Sequence, residues 1–139
     1  MPRFDIADFQ MDPVKKVDGV WIDFGGEAEF KIASLSNPEF QKAFAAKKAP
    51  YDKMRKELTE DQMLDVMVFC LARYVVLDWK NVFENDEEIS YSVEKAEEIL
   101  MKVEWLRDRV IEESRDLSNF AEKVTEEIEK NLLTASDGS

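Results

Sequence analysis

Apolar and polar positions alternate along "VKKVDGVWIDFGGEAEFKIASL". Val20, Ile22 and Phe24 fall on one side, Trp21 and Asp23 on the other. Past Gly25-Gly26, Ala28, Phe30 and Ile32 alternate with Glu29, Lys31 and Ala33. Two period-two runs around a two-residue glycine loop predict a β-hairpin. Asp18-Gly19 admits a second tight turn, which would add a short strand at 14–17 and make a three-stranded antiparallel meander. A lone hairpin is marginal in water, so its apolar face must be covered by helices or by another subunit.

The pattern then becomes helical. In "SNPEFQKAFAAKK", Asn37 or Ser36 caps a helix, Pro38 suits its first turn, and Phe40 and Phe44 stack one turn apart. Pro50 is expected to break this helix, and "PYDKMRKEL" to form a short one of its own. "TEDQ" at 59–62 matches a capping box, Thr59 with Gln62. The helix that it opens is expected over 60–78 and is apolar nearly all round, which marks it as the central helix. In "YVVLDW" the helix would end, with Asp78 as a polar stop and Trp79 as a plug. Residues 80–91 are expected as a loop. Ser92 caps the next helix, with Glu94 in its first turn. From about 104 a long helix carries one narrow stripe, from Leu106 and Val110 through Leu117 and Phe120 to Val124 and Ile128.

The predicted architecture is α+β and mainly α: an N-terminal β-hairpin or three-stranded antiparallel meander packed on four to five helices, with helix 60–78 central. Residues 1–13 are expected as a flexible arm, 14–133 as a single α+β domain and 134–139 as a disordered tail. The chain has 139 residues, room for one modest core.

Charge narrows the partners. The net charge is −12, which argues against nucleic acid or an anionic membrane. Residues 1–83 hold 12 basic and 14 acidic side chains, and 84–139 hold 7 and 17. The acidic second part is either a solvated helical surface or a docking face. Between 39 and 58 six basic and three acidic residues form a locally basic patch. The start, "MPRFDIADF", has no apolar signal region, and no apolar run is long enough for a membrane span.

Candidate chemistry is sparse. The chain has no histidine and one cysteine, which removes Ser-His and Cys-His pairs and most transition-metal sites. Cys70 lies in "VMVFCLARY" and reads as a small buried hydrophobe. No phosphate-cradling glycine motif occurs. "ENDEE" at 84–88 is acidic but lacks the ligand spacing of a calcium loop. The expectation is a non-catalytic protein without metal or cofactor. Trp21, Trp79 and Trp105 are either core residues or, for Trp21 at least, an interface anchor. Met63 and Met67, one turn apart, are either core or part of an adaptable apolar groove. Trp21, Met63, Met67 and Phe69 are the candidate partner-binding residues.

The order of elements carries a resemblance. "GVWIDFGGEAEFKIASLSNPEFQKAF", "VVLDWKNV", "EISYSVEKAEEIL" and "ESRDLSNF" follow one another as in the tail assembly chaperones of long-tailed (siphovirus-type) bacteriophages, which this chain resembles over about residues 19–120. The resemblance implies a protein that binds the tape measure protein, keeps it soluble and helps recruit the tail tube protein. It implies work in the host cytoplasm, absence from the mature virion, and self-association into a possible homo-oligomer. It also implies an extended product of programmed frameshifting, for which codons of Glu129-Lys130-Asn131 permit a slippery heptamer. Two other functions fit the composition: a virion structural protein of the head–tail connector or tail completion type, and an acidic DNA-mimic inhibitor.

Overall fold

The structure, a computed structural model, describes residues 3–122. The alternating runs pair as expected: β1 (Val20–Gly25) lies antiparallel to β2 (Ala28–Ile32), with Val20 opposite Ile32 and Ile22 opposite Phe30. The turn falls one residue later than the Gly-Gly pair suggests. Gly26 and Glu27 are its central residues, with φ of 60° and 67°. Positive φ at both positions is what a type I′ turn requires. Gly25, at φ 94°, takes up a register irregularity in β1.

The third strand is not at 14–17. Asp12 accepts hydrogen bonds from the amides of Val14 and Lys15 and starts a short helix, α1 (Pro13–Asp18). Gly19 ends it at φ 80°, where a Cβ would come within 3.1 Å of the Ile32 backbone and of Leu77 Cδ1. The third strand instead comes from the expected central helix. That helix, α3 (Glu60–Tyr74), stops short of 78, and β3 (Val76–Lys80) pairs antiparallel with β2. "YVVLDW" is therefore a helix end followed by a strand. Val75, Val76 and Trp79 suit a pleated, half-buried surface, and β2 offers an unpaired edge to receive them. A register shift opposite Lys31 and Ile32 lets both Val76 and Trp79 be buried. Trp79 packs on Phe30 and edge-on against Tyr91, with centroids at 5.9 and 5.0 Å. Its Nε1 donates to the Ile89 carbonyl at 2.8 Å, and Tyr91 OH donates to the Val76 carbonyl at 2.9 Å. Asp78 lies in the row of side chains with Lys31 and accepts the Trp79 amide at 2.8 Å.

The expected break at Pro50 does not occur. A single helix, α2 (Pro38–Lys53), runs through it. Pro50 falls in the last turn, and the end is set beyond it by Arg55 at φ 54°. The Lys56 amide reaches back to the Tyr51 carbonyl and the Arg55 amide to that of Asp52, both at 3.1 Å. This is the bond pair of a Schellman motif, with arginine where glycine is usual. The long helix expected from 104 is also interrupted. After α4 (Val93–Lys102), α5 (Glu104–Arg115) ends at Asp116, whose side chain caps a 3₁₀ turn at Leu117–Phe120. Inside the expected loop 80–91, β4 (Phe83–Glu84) and β5 (Glu87–Glu88) pair across Asn85-Asp86, residues that tolerate positive φ. In the N-terminal segment Ile6–Phe9 is a 3₁₀ turn, and Met11 forms a β-bridge with Ala121. The expected tail at 134–139, and the stripe positions Val124 and Ile128, lie outside the described residues.

The architecture is α+β and mainly α, with the sheet in the order β1-β2-β3. Helices α2 and α4 flank α3, whose Val66, Val68, Cys70, Leu71 and Ala72 are buried. Sheet residues Phe30 and Ile32 and α5 residues Leu106 and Val110 belong to the same core. The expected caps form. Thr59 and Gln62 satisfy each other's amides at 2.9 and 3.2 Å, and Ser92 Oγ accepts the Lys95 amide at 3.0 Å.

Residues 33–37 tie the layers together. The amides of Ala33, Ser34 and Leu35 donate to the carbonyls of Val75, Lys16 and Ser114, at 2.9, 2.9 and 3.1 Å. Asn37, only 2 % exposed, caps α2 by accepting the Glu39 amide at 2.9 Å. Its Nδ2 donates to the Tyr74 carbonyl at the end of α3, at 3.2 Å. Replacing Asn37 removes a cap and leaves a carbonyl at the α3 end without that donor. Asn37→Ala is expected to lower the unfolding free energy by about 2–3 kcal/mol, against about 1 kcal/mol for Thr59→Ala at an exposed cap. Urea denaturation of the two variants checks the difference.

Candidate functional site

The N-terminal half of α3 is its least covered part. Its capping box fixes where the helix starts, and Leu58 immediately precedes it. Met63 is 36 % exposed, while Leu64 and Met67 are half-buried against the core. Helix α5 contributes Arg107 and Ile111. Together Leu58, Thr59, Glu60, Met63, Leu64, Met67, Arg107 and Ile111 line an open groove of about 470 Å³. Five of these are apolar, with Thr59, Glu60 and Arg107 as the polar ones. Arg107 is held in place by donating to the Leu100 and Met101 carbonyls, at 3.0 and 3.4 Å, at the C-terminal end of α4. It thereby satisfies a helix end and complements its dipole.

Such a groove suits apolar side chains presented by a helix. Methionine is unbranched and polarizable, so Met63 and Met67 can repack around different occupants.

The four candidate residues separate. Met63 and Met67 meet in the groove. Trp21, 36 % exposed, lies on the face of β1 opposite Ile22 and Phe24, with Lys80 Nζ at 4.0 Å over its ring. Phe69 lies under two cations, Lys47 Nζ at 4.1 Å and Arg73 Cζ at 3.6 Å from its ring centre. Arg73 also pairs with Glu97 of α4 at 3.0 Å. Sequence reasoning missed Leu58, Leu64, Arg107 and Ile111 as groove residues. Their apolar or basic character was visible, but the approach of α5 to α3 was not. Trp105 is 63 % exposed at the start of α5.

A second cavity, of about 430 Å³, lies beside the β4–β5 turn and is lined by Glu84, Asn85, Glu87, Glu88, Ile89 and Lys95. Among the described residues no group of three or more His, Cys, Asp or Glu side chains is placed to hold a metal ion. Among them, too, no helix is long and apolar enough to cross a membrane.

A family profile described as the YdaY prophage protein matches residues 35–131. The chain belongs to the YdaY prophage protein family. It is therefore phage-derived, and the matched span includes α2 to α5 and every residue of the groove. No curated protein and no solved structure matches the chain.

One buried and one half-buried group of this prophage protein set its response to alkali. Burial pushes the Cys70 thiol above its ordinary 9.0, against the opposing charges of Lys47 and Arg73. Burial, with Asp78 and Glu94 nearby, pushes Tyr91 above its ordinary 10.0. The folded state keeps protons that the unfolded chain releases. Their contribution is whole below the ordinary values and is lost as pH rises through the raised ones. The urea midpoint is expected to hold up to about pH 9 and fall above it. At about pH 8, Cys70 is expected to react with a thiol reagent only after unfolding.

Proposed function

We propose that this prophage protein is a tail assembly chaperone: it binds the tape measure protein, keeps it soluble and helps recruit tail tube subunits, without catalysis. The observation that carries the proposal is the open apolar groove on α3, in a chain of phage descent. A long, apolar, helical client needs its exposed stripe masked until the tail tube encloses it. Leu58, Met63, Leu64, Met67 and Ile111 supply a matching surface. The net charge of −12 would keep such a complex dispersed. Each contact would be weak, and repeated binding along the client would gain from multivalency. On this reading the protein acts in the host cytoplasm and is left out of the mature virion.

The resemblance to tail assembly chaperones supports the same reading over most of the described residues. It also motivates the longer, frameshifted product, whose junction near 129–131 would lie beyond α5.

Co-expression with the tape measure protein of the same prophage tests the role. The client is expected to be soluble only when this chain is present. Met63→Lys should weaken that effect and leave the unfolding free energy in urea within about 1 kcal/mol of wild type, because Met63 is the exposed methionine of the groove. Trp21→Ala, on the outer sheet face, shows whether that face contributes as well. Unchanged client solubility with and without the wild-type chain would remove the chaperone role. Finding the chain in purified virions would then favour a structural role.

A further inference from the structure

Two exposed surfaces of opposite charge lie outside the groove. The first is at the junction of α4 and α5. Trp105 is 63 % exposed there. Met101, in the last turn of α4, and Val103, which joins the two helices, are exposed as well. The Lys102–Glu84 ion pair, at 3.8 Å, brings the exposed Phe83 of β4 to the same end of α4. A tryptophan left open among other exposed apolar side chains has the composition of an interface.

This first surface is acidic. Asp108 and Glu112 follow Trp105 on its own face of α5, and Glu104 precedes it. All three are exposed, and none makes an ion pair among the described residues. The cations nearby are already engaged. Arg107 donates to the carbonyls at the end of α4, and Arg109 to Glu113 and the Asp23 carbonyl.

The second surface is the turn that ends α2. Lys53, Met54, Arg55 and Lys56 are all exposed, Met54 at 60 %. The turn has a fixed shape, because left-handed Arg55 and the backbone bonds to Tyr51 and Asp52 hold it. None of its three cations makes an ion pair among the described residues, although Asp52 and Glu57 bracket them. Lys47 and Lys48 extend the positive charge back along α2.

We propose that the chain self-associates by seating the Met54 turn of one copy on the Trp105 surface of another. Met54 would lie on Trp105, a favourable sulfur–aromatic contact, beside Val103 and Met101. Lys53, Arg55 and Lys56 would meet Glu104, Asp108 and Glu112. Like surfaces do not suit one another. Trp105 on Trp105 would set three carboxylates against their own copies, and two Met54 turns would oppose their cations. Only the unlike pairing is complementary, and every copy carries one surface of each kind. The net charge of −12 opposes association at long range. Salt screens that repulsion beyond about 8 Å and leaves pairs in contact less affected. None of these residues lines the α3 groove, so the contact does not rest on the chaperone role.

Sedimentation velocity of the full-length chain tests the contact. A small interface makes weak pairs, so wild type is expected to exceed the monomer mass at about 0.1 mM protein and about 0.05 M salt. Association should weaken by about tenfold or more at about 0.5 M salt. Trp105→Ala and Met54→Glu should each sediment as monomers with an unchanged urea midpoint, since both side chains are exposed. An equal mixture of the two variants should associate again, because one keeps the Met54 turn and the other keeps the Trp105 surface. A monomeric wild type would overturn the proposal. So would association that survives both single substitutions, or a mixture that stays monomeric.

Discussion

One asparagine side chain joins two helices whose ends would otherwise need separate solutions. Asn37 Oδ1 takes the first free amide of α2, and its Nδ2 gives the end of α3 a donor for the Tyr74 carbonyl. A buried polar group is tolerable only when paired, and here the pairing is also what sets the geometry. The four residues before it send their amides to three distant carbonyls and to Oγ of Ser34, so the crossing through the core has no unpaired amide. Helix α1, the end of α5 and the start of β3 are positioned by these bonds.

The second constraint is the change from helix to strand at Val75. The Val75 amide still closes the helix on the Leu71 carbonyl, at 3.1 Å, while its carbonyl already accepts from Ala33. One residue thus ends α3 and begins the approach of β3 to β2. The sheet gains a third strand, and Trp79 gains a buried position with its indole N–H satisfied. This explains why the region is rich in apolar residues without being helical throughout. In β3 the register shift turns both Val76 and Trp79 to the core, whereas α3 is flanked by α2 and α4.

That enclosure is uneven. The C-terminal half of α3 is buried from Val68 to Ala72 except at Phe69, and there two cations lie over the ring. Such contacts keep an aromatic side chain covered at the surface. The N-terminal half has no comparable cover, and Arg107 and Ile111 of α5 line the open groove beside it. Ion pairs do little to close it: Arg73–Glu97, with side chains 30 % and 40 % exposed, contributes about 0–1 kcal/mol. The groove is a consequence of how the helices are spaced, and its apolar lining is the surface on which the proposed client contact rests.

Local chemistry was legible in the sequence. The hairpin of β1 and β2 follows from period-two alternation, and the caps at Asn37, Thr59 and Ser92 follow from side chains that reach amides two or three residues on. Met63 and Met67 could be named because one helical turn separates them. Other features were not legible for reasons that differ. The α2 end is local, but arginine at its left-handed position carries no signal that glycine would have given. The break at Asp116 interrupts an apolar stripe that continues in sequence on both sides. The third strand depended on a free edge of β2 far away in the chain, and Val75-Val76 satisfies helix and strand patterns alike. The groove needed the approach of Arg107 and Ile111, which periodicity in either helix leaves open. The sequence by itself therefore determined the hairpin, the starts of α2, α3 and α4 and the acidic balance of the chain, since each depends on composition or on neighbours within a turn. Only the tertiary structure decided where α3 stops and which apolar side chains remain uncovered, because both depend on pairing between distant segments.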